Sequence, residues 1–238
     1  MTTVHIVGLG RLGGALRLAW ATAGVPLTKV VAEADTVVLT VPDDAIAGVA
    51  ASLSGRLRRG AVALHCAGAL DSAVLRPSGA AAVGSLHPLQ TVPDPETGAA
   101  ALAGAWAGVE GDPTAIERAE SLASAAGLRT VRLTAEMKPL WHAAAVLACN
   151  DLVALLHIAD RLLVDVVGVR SGIEVLLPLV RATLDNVEAN GLRASLTGPI
   201  ARGDEGTVAR HQAVLEDHPL AKSAYEALAA AARDLATR

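Results

Sequence analysis

Hydrophobic and polar residues follow two different periods in the first half of the chain. Short apolar, β-branched runs predict strands, and apolar residues at helical spacing predict helices between them. The predicted strands are 3–7, 36–41, 61–64, 82–85, 106–109 and 130–133, and the clearest helices are 12–23 and 114–126. Because strands that alternate with helices pair in parallel, the pattern predicts an α/β fold with a Rossmann-type parallel sheet.

The second half of the chain has only the helical period. One long apolar pattern covers 135–163 and another covers 171–190, and two shorter helices begin at about Asp204 and Pro219. The change of period at Thr134 predicts two domains. Residues 1–134 form the Rossmann-type domain, and residues 135–238 form an all-helical domain.

Composition narrows the classes of partner. Hydrophobic residues make up 52% of the 238 residues, and the formal net charge is −4. Charges of both signs are scattered and form no basic stripe, which argues against nucleic acid or an anionic membrane as a partner. We therefore expect the partner to be a small-molecule substrate or another protein.

The first residues and the longest apolar stretch bear on the expected location of the protein. Residues 1–5 lack the basic and apolar segments of a signal peptide, and the apolar stretch 139–150 is shorter than the roughly 20 residues that cross a bilayer. Cys66 and Cys149 fall in different predicted domains and suggest neither a disulfide framework nor a metal site. These features predict a cytoplasmic protein.

A glycine-rich turn between the first strand and the first helix carries the clearest chemistry. In the pattern G-x-G-x-x-G the first glycine permits a tight turn, the second admits a pyrophosphate, and the third allows close packing of helix and strand. A purely structural turn is the alternative. The predicted cofactor-binding residues are Gly8, Gly10, Arg11, Leu12 and Gly13, with Val41 and Pro42 at the end of the next strand.

The acidic residue that normally binds the adenosine ribose has no clear place. Glu33 and Asp35 lie at about the expected distance, but the strand 36–41 begins immediately after them. Two parallel strands need a crossover of a dozen or more residues. We therefore interpret 27–34 as a short helix or loop that replaces the usual second strand. The sheet is then truncated, and we expect weak binding of NADP or NAD.

Two histidines follow predicted strands at the edge of the sheet where ligands bind. His87 is a candidate catalytic residue, and His65 is a candidate substrate-binding residue. The alternative for both is a histidine that only forms hydrogen bonds within its loop. Cys66 fits a small packing residue better than a nucleophile.

The helix predicted at 135–163 carries two further candidates for catalysis. Lys138 and His142 are four residues apart, so they share one helical face with a rise of about 6 Å between them. Asn150 lies farther along the helix and would contact another part of a substrate. The alternatives are a solvated lysine in the first turn and a hydrogen-bonded core histidine.

The connection 195–204 is richer in Gly, Pro and polar residues than a simple linker requires. Thr197 and Arg202 are candidate substrate-binding residues, since the Arg202 guanidinium could bind a carboxylate or phosphate. Asp204 could instead cap the helix that follows.

Together these segments resemble a family of Rossmann-like NAD(P)-dependent oxidoreductases related to 6-phosphogluconate dehydrogenase, ketopantoate reductase and pyrroline-5-carboxylate reductase. The resemblance covers nearly the whole chain and is most specific in His87-Pro88, 138–150 and 195–204. It implies a helical domain that forms a homodimer and an active site between the domains. In the better-known β-hydroxyacid dehydrogenases an asparagine follows the catalytic lysine by four residues, whereas His142 stands there in this chain.

The leading hypothesis is an oxidoreductase that transfers a hydride between a nicotinamide cofactor and a small oxo, hydroxy or imino acid. Lys138 or His142 would donate the proton, His87 would orient the substrate, and Arg202 would bind its carboxylate. Two alternatives stay open. One is an enzyme or ligand-binding protein that no longer uses a full dinucleotide, and the other is a non-catalytic regulatory subunit.

Overall fold

The computed structural model describes residues 2–237 and divides into two compact units, Met1–Leu147 and Ala148–Arg238. The division falls within the helical segment instead of at Thr134. The reason is that Lys138 and Trp141, just beyond Thr134, form hydrogen bonds to residues of the first unit.

The first unit is built on a six-stranded sheet in which the strands lie in chain order. The strands are β1 (Val4–Val7), β2 (Thr36–Leu39), β3 (Val62–His65), β4 (Ala82–Leu89), β5 (Trp106–Gly111) and β6 (Arg129–Arg132). All neighbouring strands are parallel except β4 and β5, which are antiparallel. The prediction of a wholly parallel sheet was therefore wrong at this one pair, although all six strands were found.

The antiparallel pair changes the position of His87. Strand β4 continues to Leu89, where it pairs with Trp106 of β5, so His87 lies within the strand and not after its end as predicted. The connection 90–105 begins and ends at the same edge of the sheet. Its helix α3 (Pro95–Leu102) packs against the first helix of the chain and does not cross the sheet to bring β5 back in parallel.

Helices pack on both faces of the sheet. The helices along this part of the chain are α1 (Arg11–Thr22), α2 (Ile46–Ser52), α3, α4 (Pro113–Ala125) and α5 (Lys138–Ala148). On one face, α1 and α4 bury a core around Trp20, whose indole N–H donates to the Leu122 carbonyl at 2.8 Å. On the other face, α2 and the 3-10 segment Ser72–Ser78 bury a smaller core around Ile46 and Leu75.

The segment after α1, where a Rossmann fold normally has its second strand, pairs with β1 at only one residue. Leu27 forms a single parallel bridge to Val4, and a 3-10 turn follows at Val31–Glu33. This agrees with the interpretation of 27–34 as a short helix or loop. Glu33 accepts a hydrogen bond from Thr28, and Asp35 accepts one from the Thr3 amide, so both carboxylates are engaged within the protein.

The second unit is helical. Its helices are α6 (Asn150–Leu162), α7 (Gly172–Ser195), α8 (Glu205–Val214) and α9 (Pro219–Thr237). The single long helix predicted over 135–163 was wrong, because Cys149 adopts a non-helical backbone (φ −121°, ψ −71°) and separates α5 from α6. Neither glycine nor proline marks this break in the sequence.

Many apolar side chains of the helical segments are exposed. Val153, Leu179 and Leu184 expose 55–66% of their area, and α6 has no buried residue although it is strongly amphipathic. By length and composition alone, the helical stretch Ala135–Val167 is also apolar enough to cross a membrane. An exposed apolar helix of this kind is also typical of a surface that packs against a second chain.

Candidate functional site

The glycine loop is held in shape by a neighbouring strand end. Gly8 has φ +96°, a conformation that favours glycine, and the Thr40 hydroxyl donates a hydrogen bond to the Gly8 carbonyl. A side chain at Gly13 would overlap both the Gly8 carbonyl and the Thr40 hydroxyl. The first and third glycines are therefore required by the packing of β1, α1 and the end of β2.

The second glycine leaves open space instead. A Cβ atom added to Gly10 would meet no atom within 4 Å among the described residues. Gly10 is also the N-cap of α1, so no side chain caps the N–H groups of the first turn, and that turn holds no acidic residue. Its free backbone N–H groups and the positive end of the helix dipole suit a phosphate group.

A second group of residues lies at the same edge of the sheet. Val7 pairs with Leu39, and Leu39 pairs with His65, so the ends of β1, β2 and β3 are level. The loop that follows β3, His65 to Gly68, therefore leaves the sheet at the edge where the glycine loop begins. Ligands of parallel α/β sheets bind at this edge.

His65 is fully buried and both of its ring nitrogens have partners. Nδ1 accepts a hydrogen bond from the Ala67 amide at 3.1 Å, which leaves the ring proton on Nε2 to donate to the Asp71 carbonyl at 3.1 Å. Burial, assisted by the charge of Lys138, lowers the pKa of His65 to about 4. His65 thus stabilises the loop as a neutral ring, and neither nitrogen is available to a substrate.

Three polar residues form a row across the sheet next to this loop. His65 of β3 pairs with Ser85 of β4, and Ser85 pairs with Glu110 of β5. Glu110 is only 7% exposed, and its carboxylate accepts hydrogen bonds from the amide and hydroxyl of Ser72 at 3.0 and 2.7 Å. A carboxylate inside the sheet is costly unless it is paired in this way.

Lys138, the first residue of α5, lies over this row. Lys138 is 1% exposed, and its ammonium group donates to the Ser85 hydroxyl at 2.6 Å and to the Ala67 carbonyl at 3.2 Å. Burial lowers the pKa of Lys138, and the charge of Glu110 opposes this effect. The alternative of a solvated lysine in the first turn is therefore wrong.

His87 lies two residues beyond Ser85 on the same face of β4. The indole N–H of Trp141 donates to His87 Nδ1 at 3.3 Å, so the neutral ring carries its proton on Nε2. Trp141 reaches His87 because Gly108, the partner of His87 on β5, has no side chain in the way. Burial, followed by the charge of His142, lowers the pKa of His87 to about 4.

His142 completes the group from the next turn of α5. Its ring lies edge-on to that of His87, with 5.3 Å between the ring centroids. A side chain at Gly68 would overlap His142 Nδ1 and would come within 2.8 Å of His87 Nε2. His142 Nδ1 is buried and has no hydrogen-bond partner among residues 2–237, unlike the nitrogens of a hydrogen-bonded core histidine.

Cys66 is a packing residue. It is 7% exposed within the larger core, and burial raises the pKa of its thiol to about 12. A thiol that stays protonated at neutral pH is a poor nucleophile.

The remaining candidates belong to the second unit. Asn150 begins α6, and Thr197 and Arg202 lie in the connection between α7 and α8, with all three side chains exposed. Asp204 accepts a hydrogen bond from the Thr207 amide at 2.9 Å and caps α8, as predicted. The structure therefore brings Lys138, His142, His87 and His65 together in the first unit, whereas Asn150, Thr197 and Arg202 lie in the other unit.

Sequence reasoning missed Ser85, Glu110, Ser72 and Thr40. Glu110 could have been noticed as an acidic residue inside an otherwise apolar strand, 106–111. Ser85 and Ser72 give no such signal, because a single serine is common in strands and loops alike.

Several solved structures share the fold of this chain. Structures similar over nearly the whole chain include a protein from Thermotoga maritima (24% identity, TM-score 0.78, covering 98% of both chains) and a proposed NADP oxidoreductase from Bacteroides fragilis (22% identity, TM-score 0.76, covering 98% of both chains). A third is pyrroline carboxylate reductase from Plasmodium falciparum with NADP bound (14% identity, TM-score 0.60, covering 99% of this chain and 98% of that one). At these identities the likeness establishes the fold: a mixed α/β, Rossmann-like unit followed by a helical region.

A comparison with sequence families identifies the family of this chain. The family profile described as a domain of unknown function, DUF2520, matches residues 105–232, and the chain belongs to this family. A comparison with curated proteins gave no match.

Proposed function

We propose that this protein is an oxidoreductase that transfers a hydride between NADP or NAD and a small oxo, hydroxy or imino acid. One observation carries the proposal. The buried Lys138 ammonium, with His87 and His142 beside it, lies at the same edge of the sheet as an open glycine loop. The similarity in fold to a pyrroline carboxylate reductase with NADP bound supports the same class of reaction.

The residues of the glycine loop fit the diphosphate of a dinucleotide. Gly10 leaves space for it, and the N–H groups at the start of α1 would donate hydrogen bonds to it. When bound, the nicotinamide supplies or accepts the hydride. The adenosine end would find fewer contacts, because Leu27 is the one residue of its segment that pairs with β1.

The proton that accompanies the hydride would move through Lys138 or His142. The ammonium group has three N–H donors, and the structure gives two of them an acceptor. Burial lowers the Lys138 pKa, which makes the ammonium a better proton donor near neutral pH than an exposed lysine. His87, neutral and protonated on Nε2, would donate a hydrogen bond that orients the substrate oxygen or nitrogen.

The test separates cofactor binding from catalysis. NADPH and NADH are titrated against the protein by fluorescence, and their oxidation is then followed with small 2-oxo acids and cyclic imines. We expect binding of at least one cofactor and oxidation with at least one substrate class. Gly10→Ala should weaken binding at least tenfold without loss of stability, because its methyl group fills only the phosphate space. Gly48→Ala, on an exposed helix position with no atom within 4 Å, is the matched control.

A result with no binding of either cofactor would overturn this function. It would favour a second candidate, a ligand-binding protein or enzyme on the same scaffold that no longer uses a full dinucleotide. The observation behind that candidate is the single bridge at Leu27, since the segment that normally contacts adenosine is reduced to one paired residue.

We also propose that the protein is a cytoplasmic homodimer joined through its helical unit. Helix α6 buries no residue within the described chain although one of its sides is strongly apolar. Exposed apolar area of this extent is unusual on a monomer and is typical of a surface that a second copy covers.

A further inference from the structure

A continuous chain of hydrogen bonds connects Lys138 with a carboxylate that none of the preceding chemistry uses. Lys138 donates to the Ser85 hydroxyl at 2.6 Å, and Ser85 in turn lies 3.3 Å from Glu110 Oε2. The direction of these bonds is fixed by chemistry. A lysine ammonium can only donate, so the single proton of the Ser85 hydroxyl is free to donate to Glu110.

The carboxylate end of the chain is equally well defined. Glu110 accepts from the Ser72 hydroxyl on Oε1 and from the Ser72 amide on Oε2. With the bond from Ser85, it receives three hydrogen bonds and makes none as a donor, as an ionised carboxylate requires. All four side chains are at most 7% exposed, so the positive and negative ends face each other away from water.

We propose that Glu110 is a positioning residue for Lys138, which fixes the ammonium group through Ser85 and balances its charge inside the protein. The hydrogen bonds to the Ser85 hydroxyl and the Ala67 carbonyl hold two of the three N–H groups of Lys138 in place between β4 and the loop after β3. The third N–H is then presented in a constant direction. The inference rests on the proposed function only in giving Lys138 a proton to transfer.

Other groups also act on the Lys138 ammonium, and the test must separate them from Glu110. They are His65, Cys66 and Asp71 near the end of β3, His87 on β4, and Asp43 after β2. Of these groups and Glu110, Glu110 is the one connected to the ammonium by a hydroxyl, and its charge is the largest influence opposing burial.

The chain offers a direct measurement, because it has three lysines, Lys29, Lys138 and Lys222. Protein labelled with ¹³C- and ¹⁵N-lysine gives three side-chain signals, which Lys29→Arg and Lys222→Arg assign. We expect Glu110→Gln to lower the Lys138 pKa by about one pH unit or more, a tenfold loss of proton affinity. Glu110→Asp, which keeps the charge, should retain most of the wild-type value. Glu117→Gln, at an exposed position on α4, should change nothing.

Ser85→Ala decides the matter if Glu110→Gln does not fold, because it removes the bridging hydroxyl and leaves both charged residues. It should also lower the Lys138 pKa and broaden the ammonium signal. An unchanged Lys138 titration in a folded Glu110→Gln protein, or in Ser85→Ala where the first does not fold, would overturn the proposal. These measurements need no cofactor. If Glu110→Gln lowers the Lys138 pKa but the protein binds no dinucleotide, the proposed function is refuted and the role of Glu110 stands. In an active enzyme, Glu110→Gln should move the basic limb of the pH profile by the same amount.

Discussion

Gly68 lies directly against the imidazole of His142, so closely that any side chain at this glycine would overlap His142 Nδ1. The same position is 2.8 Å from His87 Nε2. The absence of a side chain at Gly68 therefore allows His142 to pack against the loop after β3 and beside His87. In this position His142 Nδ1 is buried and has no hydrogen-bond partner among residues 2–237.

Gly68→Ala should disrupt this packing, because its methyl group would overlap the His142 ring. We expect the methyl group to displace His142, to lower the stability of the protein by about 1–3 kcal/mol, and to abolish substrate turnover. Urea denaturation measures the stability, and a histidine ¹⁵N spectrum measures the change at His142. Gly48→Ala, which meets no atom within 4 Å in helix α2, should leave stability equal or higher. An active and stable Gly68→Ala protein would show that neither folding nor turnover needs the close packing of His142 on Gly68.

Lys138 and His142 should act as one unit in turnover. Lys138→Met and His142→Ala should each lower turnover by roughly 10²-fold or more, and the double variant should lose much less than the product of the two effects. Steady-state kinetics with the best substrate of the panel gives these values. Independent, multiplicative losses would mean that the two residues serve different steps.

The same two variants should differ in stability. His142→Ala removes a nitrogen that makes no hydrogen bond, whereas Lys138→Met leaves Glu110 buried without its counter-ion. Because the Ser85 hydroxyl separates the two charges, the loss should be smaller than the about 3–5 kcal/mol for breaking a buried ion pair in direct contact. We expect Glu110→Gln to restore most of this loss when it is added to Lys138→Met. Denaturant midpoints that do not recover in the double variant would contradict the pairing.

Stability should fall in mildly acidic solution. Burial lowers the pKa of His65 and of His87 from 6.5 to about 4, so between these values the unfolded chain binds protons that the folded protein does not. The free energy of unfolding should therefore decrease as pH falls from about 6.5 to about 4, by about 1.4 kcal/mol per pH unit for each histidine. Above about pH 7 these residues contribute no slope.

The contribution of His87 can be isolated. His87→Asn keeps an acceptor for the Trp141 indole and removes the titrating group, so the slope between pH 6 and pH 5 should become smaller by about one proton. Equal slopes in wild-type and His87→Asn protein would show that His87 titrates normally in the folded state.

Dinucleotide binding should be weak. Leu27 is the one residue of the segment 27–34 that pairs with β1, and Glu33 and Asp35 are hydrogen-bonded within the protein. The adenosine ribose therefore loses a charge-assisted hydrogen bond of roughly 1.5–3 kcal/mol. Fluorescence titration should therefore give dissociation constants above the submicromolar range for both NADH and NADPH. A submicromolar value would mean that another segment supplies the ribose contacts.

The oligomeric state follows from the exposed helices. Sedimentation should give a stable dimer without detergent, and Val153→Asp or Leu184→Asp should weaken it because each places a charge on the apolar surface. Val30→Asp, in the first unit, is the control and should leave the dimer intact. A monomer at micromolar concentration would contradict the prediction, and a protein soluble only in detergent would favour a membrane-bound segment.

The sheet could be predicted strand by strand, but the direction of one strand could not. Apolar runs such as Val37–Val38–Leu39 form strands for reasons local to the chain. An apolar run does not indicate whether its strand is parallel or antiparallel to its neighbour. The antiparallel pairing of Trp106 with Leu89 depends instead on where α3 packs. The break at Cys149 was equally invisible, since neither glycine nor proline marks it.

The part of the candidate site that depends on helical spacing could be predicted from the sequence. The part that depends on residues far apart in the chain could not. Lys138 and His142 were expected on one side of a helix, and they meet the consecutive residues Ala67 and Gly68. That the lysine is buried could not be predicted, because its partner Ser85 lies 53 residues earlier in the chain. A polar residue on a strand gives no local sign of the helix that will cover it.

Strand β4 serves two purposes with alternate residues. Ser85 and His87 face the polar row, whereas Leu86 between them belongs to the larger core. Inserting or deleting one residue within this strand would exchange the two faces and place leucine in the site and histidine in the core. We therefore expect this protein to tolerate changes of length in its connections, such as 90–105, and none within β4.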